Sequence, residues 1–392
     1  MFLIKHKLII TITLCVSLLA GCENSETSSA ASGRVIPFES NTQVISRPEV
    51  PAVSSAASTA SAPESVPATP PDFSVSERTG TFYFCKSPAN PVTVTFGDNV
   101  ITVVAEGDAV AGVQQGSHAM RISREIGAGV TTYTLTPKSE NLNGKYGCFY
   151  IIDKNNYLGE MWFSIKDGKI AAPALRELAE NNQSVLDSVV DSSPARVAQA
   201  MTMDGSTDKI PEIWAEIEKI SNEICDGIDD DYEKLRAIAD WVSDNTYYDR
   251  PAVSRGEPPS CLTLEYVLNN KSGICGSYAN MTAALCNAQG IRCISITGKA
   301  LIDGNNYLNT NLEGGLHEWN VAEINGRQII VDSCWMSANN LSYGGNYTHK
   351  DNVWKWFDTG DEIFAVDHQA KTAEYKDFKT VAENITKQRN TQ

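Results

Sequence analysis

Three stretches of the sequence decide its fold: Gly273-Ile-Cys275-Gly-Ser-Tyr278, His317-Glu-Trp-Asn320 and Val331-Asp332-Ser-Cys-Trp335. The first opens a run from Cys275 to Gln289 that is rich in Ala, Met and Leu and is followed by Gly290, which predicts a helix. Cys275 then lies in the first helical turn, where unpaired N–H groups and the helix dipole stabilise an anionic thiolate. This placement makes Cys275 a candidate nucleophile.

The other two stretches flank a predicted β-hairpin. Asn325-Gly326 lies between two strand-like runs, and this dipeptide is the strongest short hairpin signal. If it forms a two-residue loop, His317 faces Cys334 across the ladder. His317 and Asp332 then share one sheet face as diagonal neighbours, because residues two apart on a strand point the same way. Their side chains are expected to reach each other.

A Cys, a His and an Asp are the residue types of a nucleophile, its base and the group that orients the base. The Cys275 thiolate would attack an amide carbonyl, His317 would protonate the leaving amine, and Asp332 would fix the imidazole tautomer. Cys334 is the rival nucleophile, although a strand end gives it no helix dipole. Zinc is the metal alternative, but the chain lacks Cys-x-x-Cys and His-x-x-x-His spacings, so we predict no metal and no other cofactor.

The first 22 residues have the pattern of a bacterial lipoprotein signal peptide. Lys5 and Lys7 precede a short apolar run, and Leu19-Ala-Gly-Cys22 resembles a lipobox. Cleavage there would leave Cys22 as the lipidated N-terminus; an ordinary signal peptide with a coincidental cysteine is the alternative. Both readings predict export, and a lipid on Cys22 would hold the protein on the outer face of the bacterial cell membrane through that anchor only.

Residues 23–72 repeat Ser, Ala, Thr, Pro and Val with hardly an aromatic residue. Such a segment cannot bury enough apolar surface to offset chain entropy, so we predict a disordered tether.

The formal net charge of the whole chain, −16, argues against nucleic acid and against an anionic membrane surface as partners. The charge identifies no partner, and the oligomeric state stays open.

Residues 73–170 have the pattern of a β-rich module. Short β-branched and aromatic runs separated by Gly, Asn, Asp and Pro predict an antiparallel, sandwich-like fold. Cys85 and Cys148 lie at strand edges, and an exported protein allows a disulfide between them. The predicted strands are Thr81–Cys85, Val92–Phe96, Val100–Val104, Thr131–Leu135, Cys148–Ile152 and Met161–Ile165.

Beyond residue 170 the hydrophobic period becomes helical. Pro211 suits the first turn of one helix, and Asp229-Asp-Asp231 supplies capping carboxylates for the next. We divide this part of the chain into a helical connector (171–230), a catalytic domain (231–375) and a tail without an assigned role (376–392). The apolar stripes that predict the two helices are Ile213, Ile217, Ile220 and Ile224, and Leu235, Ile238, Ala239 and Val242.

The residues from about Asp231 to His368 resemble the transglutaminase-like superfamily, whose members share a papain-like α+β core. The resemblance implies such a core, preceded by helices and by the β-rich module, and a catalytic triad of Cys275, His317 and Asp332. The matching pieces are Tyr248-Asp249, Val267-Leu268, Gly273 with Cys275, Tyr278, Gly290-Ile291 opening a strand that ends at Gly298, His317-Glu-Trp-Asn320, Val331-Asp332-Ser-Cys-Trp335, Trp356-Phe-Asp358 and Asp367-His368.

Acyl transfer also requires an oxyanion hole. By resemblance to the superfamily, the main-chain N–H of Cys275 is one candidate donor, and the second is a side chain upstream of the nucleophile. Tyr248 and Trp241 are the candidates that we retain, with Tyr247 as a third. The residues alone do not choose among them.

The molecule that accepts the acyl group stays open. Water would make the protein a peptidase or amidase, and a lysine amine would make it a protein-crosslinking transglutaminase. A binding or assembly lipoprotein with little activity is the third alternative. We favour hydrolysis of a protein or peptide substrate at the cell surface, because bacterial members of the superfamily resemble peptidases at least as often as crosslinkers. Water access depends on the loops 249–260 and 303–315.

The sequence also suggests roles for four of the remaining cysteines and histidines. Cys286 and Cys293 flank the turn after the predicted helix and are expected either to form a disulfide or to be reduced core residues. His349 is interpreted as a loop residue and His368 as a structural one, although each could approach the cleft.

Overall fold

The computed structural model describes residues 80–86, 91–97, 100–105, 109–115, 122–126, 129–134, 146–153, 156–166, 169–171, 175–256, 259–302 and 313–391. The predicted signal peptide (1–22), its Cys22 and the tether (23–72) lie outside the described residues. Parts of the loops 249–260 and 303–315 also lie outside them. Among the described residues, no helix combines the length and the apolar character needed to cross a membrane.

The β-rich module forms two antiparallel sheets from its described strands, with orders β1-β2-β3-β6 and β5-β4-β7-β8-β9. The sheets meet where the rings of Phe96 and Phe163 lie 5.7 Å apart, with Phe82 against Phe96 at 5.8 Å. The strands are β1 (Gly80–Cys85), β2 (Val92–Phe96), β3 (Val100–Ala105), β4 (Ala109–Gln115), β5 (Ile122–Ile126), β6 (Gly129–Thr134), β7 (Tyr146–Asp153), β8 (Asn156–Lys166) and β9 (Lys169–Ala171).

The sequence patterns missed part of this module. Each of the six predicted runs lies in or overlaps a strand, but β4, β5 and β9 were not predicted. The strand β4, Ala-Val-Ala-Gly-Val-Gln-Gln, is poor in the β-branched and aromatic residues that signal a strand. The side chain of Cys148 lies outside the described residues, so the disulfide to Cys85 stays a prediction.

The remainder of the chain alternates helices and short strands. Its described elements are α1 (Arg176–Leu186), β10 (Val190–Asp191), α2 (Pro194–Met201), α3 (Ile210–Ile224), α4 (Asp231–Asn245), β11 (Tyr247–Asp249), α5 (Arg250–Arg255), α6 (Leu264–Asn270), β12 (Ser272–Gly273), α7 (Cys275–Ala288), β13 (Arg292–Ala300), β14 (Gly315–Ile324), β15 (Arg327–Val331), α8 (Ser333–Met336), β16 (Asn340–Ser342), β17 (Asn346–Thr348), α9 (Asp361–Phe364), β18 (His368–Tyr375) and α10 (Phe378–Arg389). Two 3-10 turns complete the set, Pro259–Leu262 and Trp354–Trp356.

Two sheets organise these elements around α7. One has the strand order β10-β18-β13-β14-β15, and the other has the order β12-β11-β16-β17. The helix α7 is buried along almost its whole length, from Gly276 to Asn287, because it packs against the first sheet and against α3 and α4. Both apolar stripes predicted from the sequence face this common core, and Asp230 caps α4 through the N–H of Glu233.

The hairpin between β14 and β15 has the predicted register. Ile324 pairs with Arg327, and the ladder continues to Asn320 opposite Val331. Asn325 and Gly326 both have positive φ, 51° and 74°, as a two-residue type I′ loop requires. The strand β13 extends to Ala300, two residues past the predicted end at Gly298.

Helices from the predicted connector (171–230) and tail (376–392) pack in the same core as the predicted catalytic domain (231–375). The helices α2, α3 and α10 contribute Val197, Ile217 and Phe378 to the same buried cluster as α7. Phe378 is fully buried, and its N–H donates to Asn287 Oδ1 at 3.0 Å. Ala, Lys and Thr dilute the apolar stripe of α10, so its sequence suggested a frayed end although its inner face is packed.

The β-rich module contacts the second part of the chain beside α9. Lys86 Nζ lies 2.7 Å from Asp361 Oδ2, and the Lys86 N–H donates to the Asp358 carbonyl at 3.0 Å. A Cβ on Gly360 would overlap the main chain of Tyr83. The two chain segments therefore touch through closely packed backbone.

Candidate functional site

Cys275 is the first residue of α7 and is half-buried. The turn before it is held by Ser277, whose hydroxyl accepts from the N–H of Ile274 at 2.9 Å and donates to the Cys261 carbonyl at 2.6 Å. A Cβ on Gly273 would lie 2.5 Å from the Ser277 Oγ, so the approach to the helix has room only for glycine. The predicted placement of Cys275 in the first helical turn is confirmed.

Asp249 braces the strand that leads to the nucleophile. One carboxylate oxygen caps α5 through the N–H of Ala252, and the other accepts from the hydroxyls of Tyr266 and Ser272 at 2.9 and 3.1 Å. Ser272 lies on β12, which pairs in parallel with β11. The aromatic-Asp pair read in the sequence thus supports the loop that carries Cys275.

His317 extends from β14 and lies between its two predicted partners. Its Nε2 is 2.7 Å from Asp332 Oδ2, and the Cys275 side chain is near enough to raise the pKa of the ring. Burial alone would lower the His317 pKa, but the Asp332 carboxylate and the Cys275 side chain together raise it to about 9. The imidazole is therefore held in its protonated form through neutral pH.

Asp332 is completely buried at the N-terminus of α8. Its Oδ1 accepts from the N–H of Trp335 at 3.0 Å, which leaves Oδ2 for His317. Burial would raise the Asp332 pKa, but ion pairs and hydrogen bonds with His317 and His368 hold it well below its usual range. The carboxylate stays ionised inside the protein.

The predicted pairing of His317 with Cys334 across the ladder was wrong. The strand β15 ends at Val331, and the chain turns at once into α8, so Cys334 is helical. Asp332 reaches His317 as the residue that caps this helix, and its own N–H donates to the Trp356 carbonyl at 3.0 Å. The hairpin register brings the two residues together, but the final contact depends on the helix start.

His368 belongs to this cluster, although the sequence interpretation did not place it there. Its Nε2 lies 3.2 Å from Asp332 Oδ2, and its Nδ1 lies 2.6 Å from Asp367 Oδ1. The side chain is fully buried, and its ring stacks on Phe364 at 3.9 Å. The sequence contains the Asp367-His368 pair, but only the fold places His368 beside Asp332, which lies 36 positions earlier in the chain.

An aromatic shell surrounds the two imidazoles. Trp335 lies 5.0 Å from the His317 ring and 4.5 Å from the His368 ring, and Trp319 lies 5.2 Å from His368. Gly298 pairs with His317 across β13 and β14, and a Cβ there would strike the Trp319 ring. This shell excludes water from the side of the histidines that faces the core.

The other thiols have different environments. Burial raises the Cys334 pKa well above its usual range, and the nearby Asp332 and Cys275 act in the same direction, so Cys334 is poorly suited to act as a nucleophile. Cys286 and Cys293 are both free and buried, which agrees with the reduced alternative and contradicts the bridge.

The oxyanion candidates lie at the margin of the core that holds Cys275. Tyr248 pairs with Gly273 across β11 and β12, two residues before the nucleophile. Trp241 is half-buried on α4. The T-shaped contact of Tyr247 with the Tyr347 ring, at 4.9 Å, turns it toward the β16–β17 hairpin. Of the three candidates, Tyr248 is the one whose main chain pairs directly with Gly273.

One cluster in the described part of the chain has the dimensions of a metal site. The ligand atoms of His317, Asp332 and His368 lie within 4.8 Å of one another. Both imidazole Nε2 atoms point at the same carboxylate oxygen at hydrogen-bonding distance, so these nitrogens and the oxygen already bind one another. We interpret the cluster as a hydrogen-bonded chain and not as a set of metal ligands. His349 is exposed, 3.4 Å from Asp244, away from this chain.

Residues 218–338 match the family model of the transglutaminase-like superfamily. Among curated proteins, the kyphoscoliosis peptidases of Mus musculus and Homo sapiens are each 26% identical over 140 residues, which is 35% of this chain and 21% of theirs. The chain thus spans about a fifth of the length of these relatives.

Solved structures give weaker likenesses. A crystal structure of a TGase has 15% identity and a TM-score of 0.26, covering 36% of this chain and 35% of that one. A candidate cysteine protease from Cytophaga hutchinsonii has 14% identity and a TM-score of 0.26, covering 70% of this chain and 86% of that one. The family match confirms the predicted α+β class with a transglutaminase-like core.

Proposed function

We propose that this chain, which carries a transglutaminase-like domain, is a cysteine acyl-transfer enzyme that hydrolyses amide or peptide bonds. The observation that carries the proposal is the position of His317 between Cys275 and Asp332, with a pKa raised to about 9. An imidazolium beside a cysteine at a helix start favours the thiolate form of that cysteine. A nucleophile, its proton donor and an orienting carboxylate are therefore combined in one site.

In the first half-reaction, the Cys275 sulfur attacks the carbonyl carbon of an amide and the carbonyl oxygen takes the negative charge. The C–N bond then breaks, and the proton on the His317 ring passes to the leaving amine. A thioester remains on Cys275. Asp332 keeps the ring oriented and stabilises its positive charge in the protonated state.

In the second half-reaction, His317 takes a proton from water as the water attacks the thioester. The C–S bond breaks, the carboxylic acid leaves, and the Cys275 thiolate and His317 imidazolium form again. The main-chain N–H of Cys275 and the hydroxyl of Tyr248 are the oxyanion donors that we propose, with Trp241 as the alternative to Tyr248.

Water as the acceptor is supported by the names of the two curated relatives, which are both called peptidases. An amine acceptor would make the chain a crosslinking enzyme, and a weakly active binding or assembly protein is the remaining alternative. We further propose that the enzyme acts on proteins or peptides at the bacterial cell surface, anchored by a lipid on Cys22.

The purified protein, incubated with a peptide library and, in parallel, with a glutamine donor and an amine, tests this function by mass spectrometry. We expect cleaved peptides that depend on Cys275, since Cys275→Ser keeps the side-chain size but weakens the nucleophile. Cys225→Ser is the matched control, because this thiol lies in the core next to α3. It should retain full activity.

An amine-dependent mass gain without cleavage would replace hydrolysis by crosslinking. Absence of both products, together with alkylation of Cys275 by iodoacetamide no faster than that of an ordinary exposed thiol, would remove the enzyme and leave the binding protein. Lipid on Cys22 is checked separately by mass spectrometry of the protein extracted from membranes.

A further inference from the structure

His368 has an unusual position between two carboxylates. Its Nδ1 lies 2.6 Å from Asp367 Oδ1 and its Nε2 lies 3.2 Å from Asp332 Oδ2. A neutral imidazole has one N–H and one lone pair, so it can donate to only one carboxylate. With both acceptors ionised, the ring satisfies both contacts only when both nitrogens carry a proton.

We propose that His368 is a permanently charged positioning residue, an imidazolium that bridges Asp367 and Asp332 and thereby fixes Asp332 against His317. The inference rests on the proposed function of Cys275, His317 and Asp332, and it deepens that function. It assigns alternating charges to four groups in a row: Asp367 is negative, His368 positive, Asp332 negative and His317 positive.

The burial of the cluster supports this charge pattern. The side chains of His368 and Asp332 are both fully buried, whereas Asp367 is 15% exposed. A buried carboxylate is unfavourable unless it is paired and hydrogen-bonded. His317 alone would leave Asp332 unpaired whenever the imidazolium gave its proton to a leaving amine. A second cation keeps the carboxylate paired through the whole cycle.

Among the described residues, no charged group other than Asp367, Asp332 and His317 is in contact with the His368 ring. The elements packed against it present Asp332 from the start of α8 and His317 from β14, with Asp367 preceding its own strand. The other neighbours of the ring are aromatic: Trp319, Trp335, Trp356 and Phe364. From α1, the Asn182 amide binds the His368 carbonyl, not the ring. On α9, Asp361 points to Lys86. Burial would lower the His368 pKa, but Asp367 and Asp332 together raise it.

His368 also affects the proton affinity of its neighbour. The His317 and His368 rings are 5.5 Å apart, and two like charges at this distance disfavour each other. The charge on His368 therefore makes His317 a better acid toward the leaving amine than Asp332 alone would allow. Removing that charge should strengthen the hold of Asp332 on the His317 proton.

Two variants of the full-length protein separate charge from packing. His368→Phe keeps a ring inside the aromatic shell but removes the charge and both hydrogen bonds, whereas His368→Gln keeps one donor for Asp332 without the charge. Peptide turnover should fall above the pH at which His317 loses its proton, and we call this fall the alkaline limb of the pH profile. We expect the alkaline limb to move upward by roughly 1–2 pH units in both variants. We expect kcat to fall by roughly 10-fold or more in His368→Phe, by analogy with the outer partners of metal-binding histidines, and to recover in part in His368→Gln.

The exposed His349 provides the matched control. His349→Gln should leave both the limb and kcat unchanged. A merely structural His368 would lower the melting temperature and leave the alkaline limb where it is in the wild type, and that result would overturn the proposal.

A second measurement does not depend on turnover. The ring ¹⁵N shifts of His368, assigned by their absence from His368→Gln, should show two protonated nitrogens at pH 7. A ring that is neutral at pH 7 would also overturn the proposal. A wild type without peptidase activity but with a protonated His368 would instead refute the proposed function and retain the charge assignment.

Discussion

The two sides of the candidate site are built by different physical means. On the nucleophile side, Cys275 is half-buried, and the turn that presents it is shaped by small side chains and main-chain hydrogen bonds around Gly273 and Ser277. On the base side, His317, Asp332 and His368 are buried and held by charge inside an aromatic shell. The nucleophile is therefore placed by steric fit, and the base is placed by electrostatics.

This difference predicts which substitutions change geometry and which change proton affinity. Replacing a charge on the base side should alter the pH dependence of activity. Adding volume on the nucleophile side should alter the rate and the stability but shift the pH dependence much less, because Cys275 contributes less than Asp332 to the raised His317 pKa.

Asp332→Asn is expected to have the largest effect of these changes. The amide has nearly the same shape but no charge, so it no longer stabilises the protonated form of His317. We expect kcat to fall roughly 10³- to 10⁴-fold, by analogy with loss of the carboxylate in other triads. The alkaline limb should drop from near pH 9 toward the ordinary histidine value of about 6.5.

Measurement of kcat and kcat/KM from pH 5 to 10 tests this prediction. Asp244→Asn is the control, because that carboxylate is 50% exposed and faces His349. Retention of kcat within 10-fold in Asp332→Asn would show that the buried carboxylate does not orient the base.

The same electrostatics should make the stability depend on pH. His317 is buried, and its folded pKa of about 9 exceeds the unfolded value of about 6.5. The folded protein holds the proton more tightly, so this contribution is fully present below about pH 6.5 and is lost as the pH rises through about 9. The loss should be about 3 kcal/mol in the free energy of unfolding.

Urea unfolding at pH 6 and at pH 9.5, compared between the wild type and His317→Gln, isolates this contribution. Buried thiols such as Cys334 also have raised pKa values and act in the same direction, but they are common to both proteins. Equal pH slopes for the two proteins would contradict the ion pair between His317 and Asp332.

The sequence predicted the parts of the site that depend on local signals. The Asn325-Gly326 loop fixes a register, and the register brings β14 and β15 together as expected. Gly273 and Gly290 mark the boundaries of α7. Each of these signals acts over a few residues, so a single sequence is enough to read it.

The sequence did not reveal the parts that depend on long-range packing. Val331-Asp332-Ser-Cys read as a continuing strand, because no local signal separates a strand end from a capping aspartate there. His368 acquires its role only when β18 pairs with β13 and brings the ring to Asp332. The weak apolar stripe of α10 likewise conceals Phe378, which is buried only because α7 and α3 lie beside it.

Gly273→Ala is the smallest of these changes, and it tests the nucleophile side. The added Cβ would overlap the Ser277 side chain, so the turn before Cys275 must move. We expect a loss of about 1–3 kcal/mol in the free energy of unfolding, the usual range for overpacking, and a lower kcat. Gly97→Ala is the control, because its Cβ would lie at an ordinary 3.6 Å from the Val100 carbonyl.

The position of the alkaline limb in Gly273→Ala shows whether the shape of the turn before Cys275 also controls the proton affinity of His317. Gly273→Ala leaves Asp332 and His368 in place but shifts Cys275, which makes the smaller contribution to the raised His317 pKa, so the limb should move much less than in Asp332→Asn while kcat falls. A limb that moved as in Asp332→Asn would show that the shape of the turn also sets the charge on the base. The nucleophile and the base would then form one electrostatic unit, and the separation of steric from electrostatic placement would be lost.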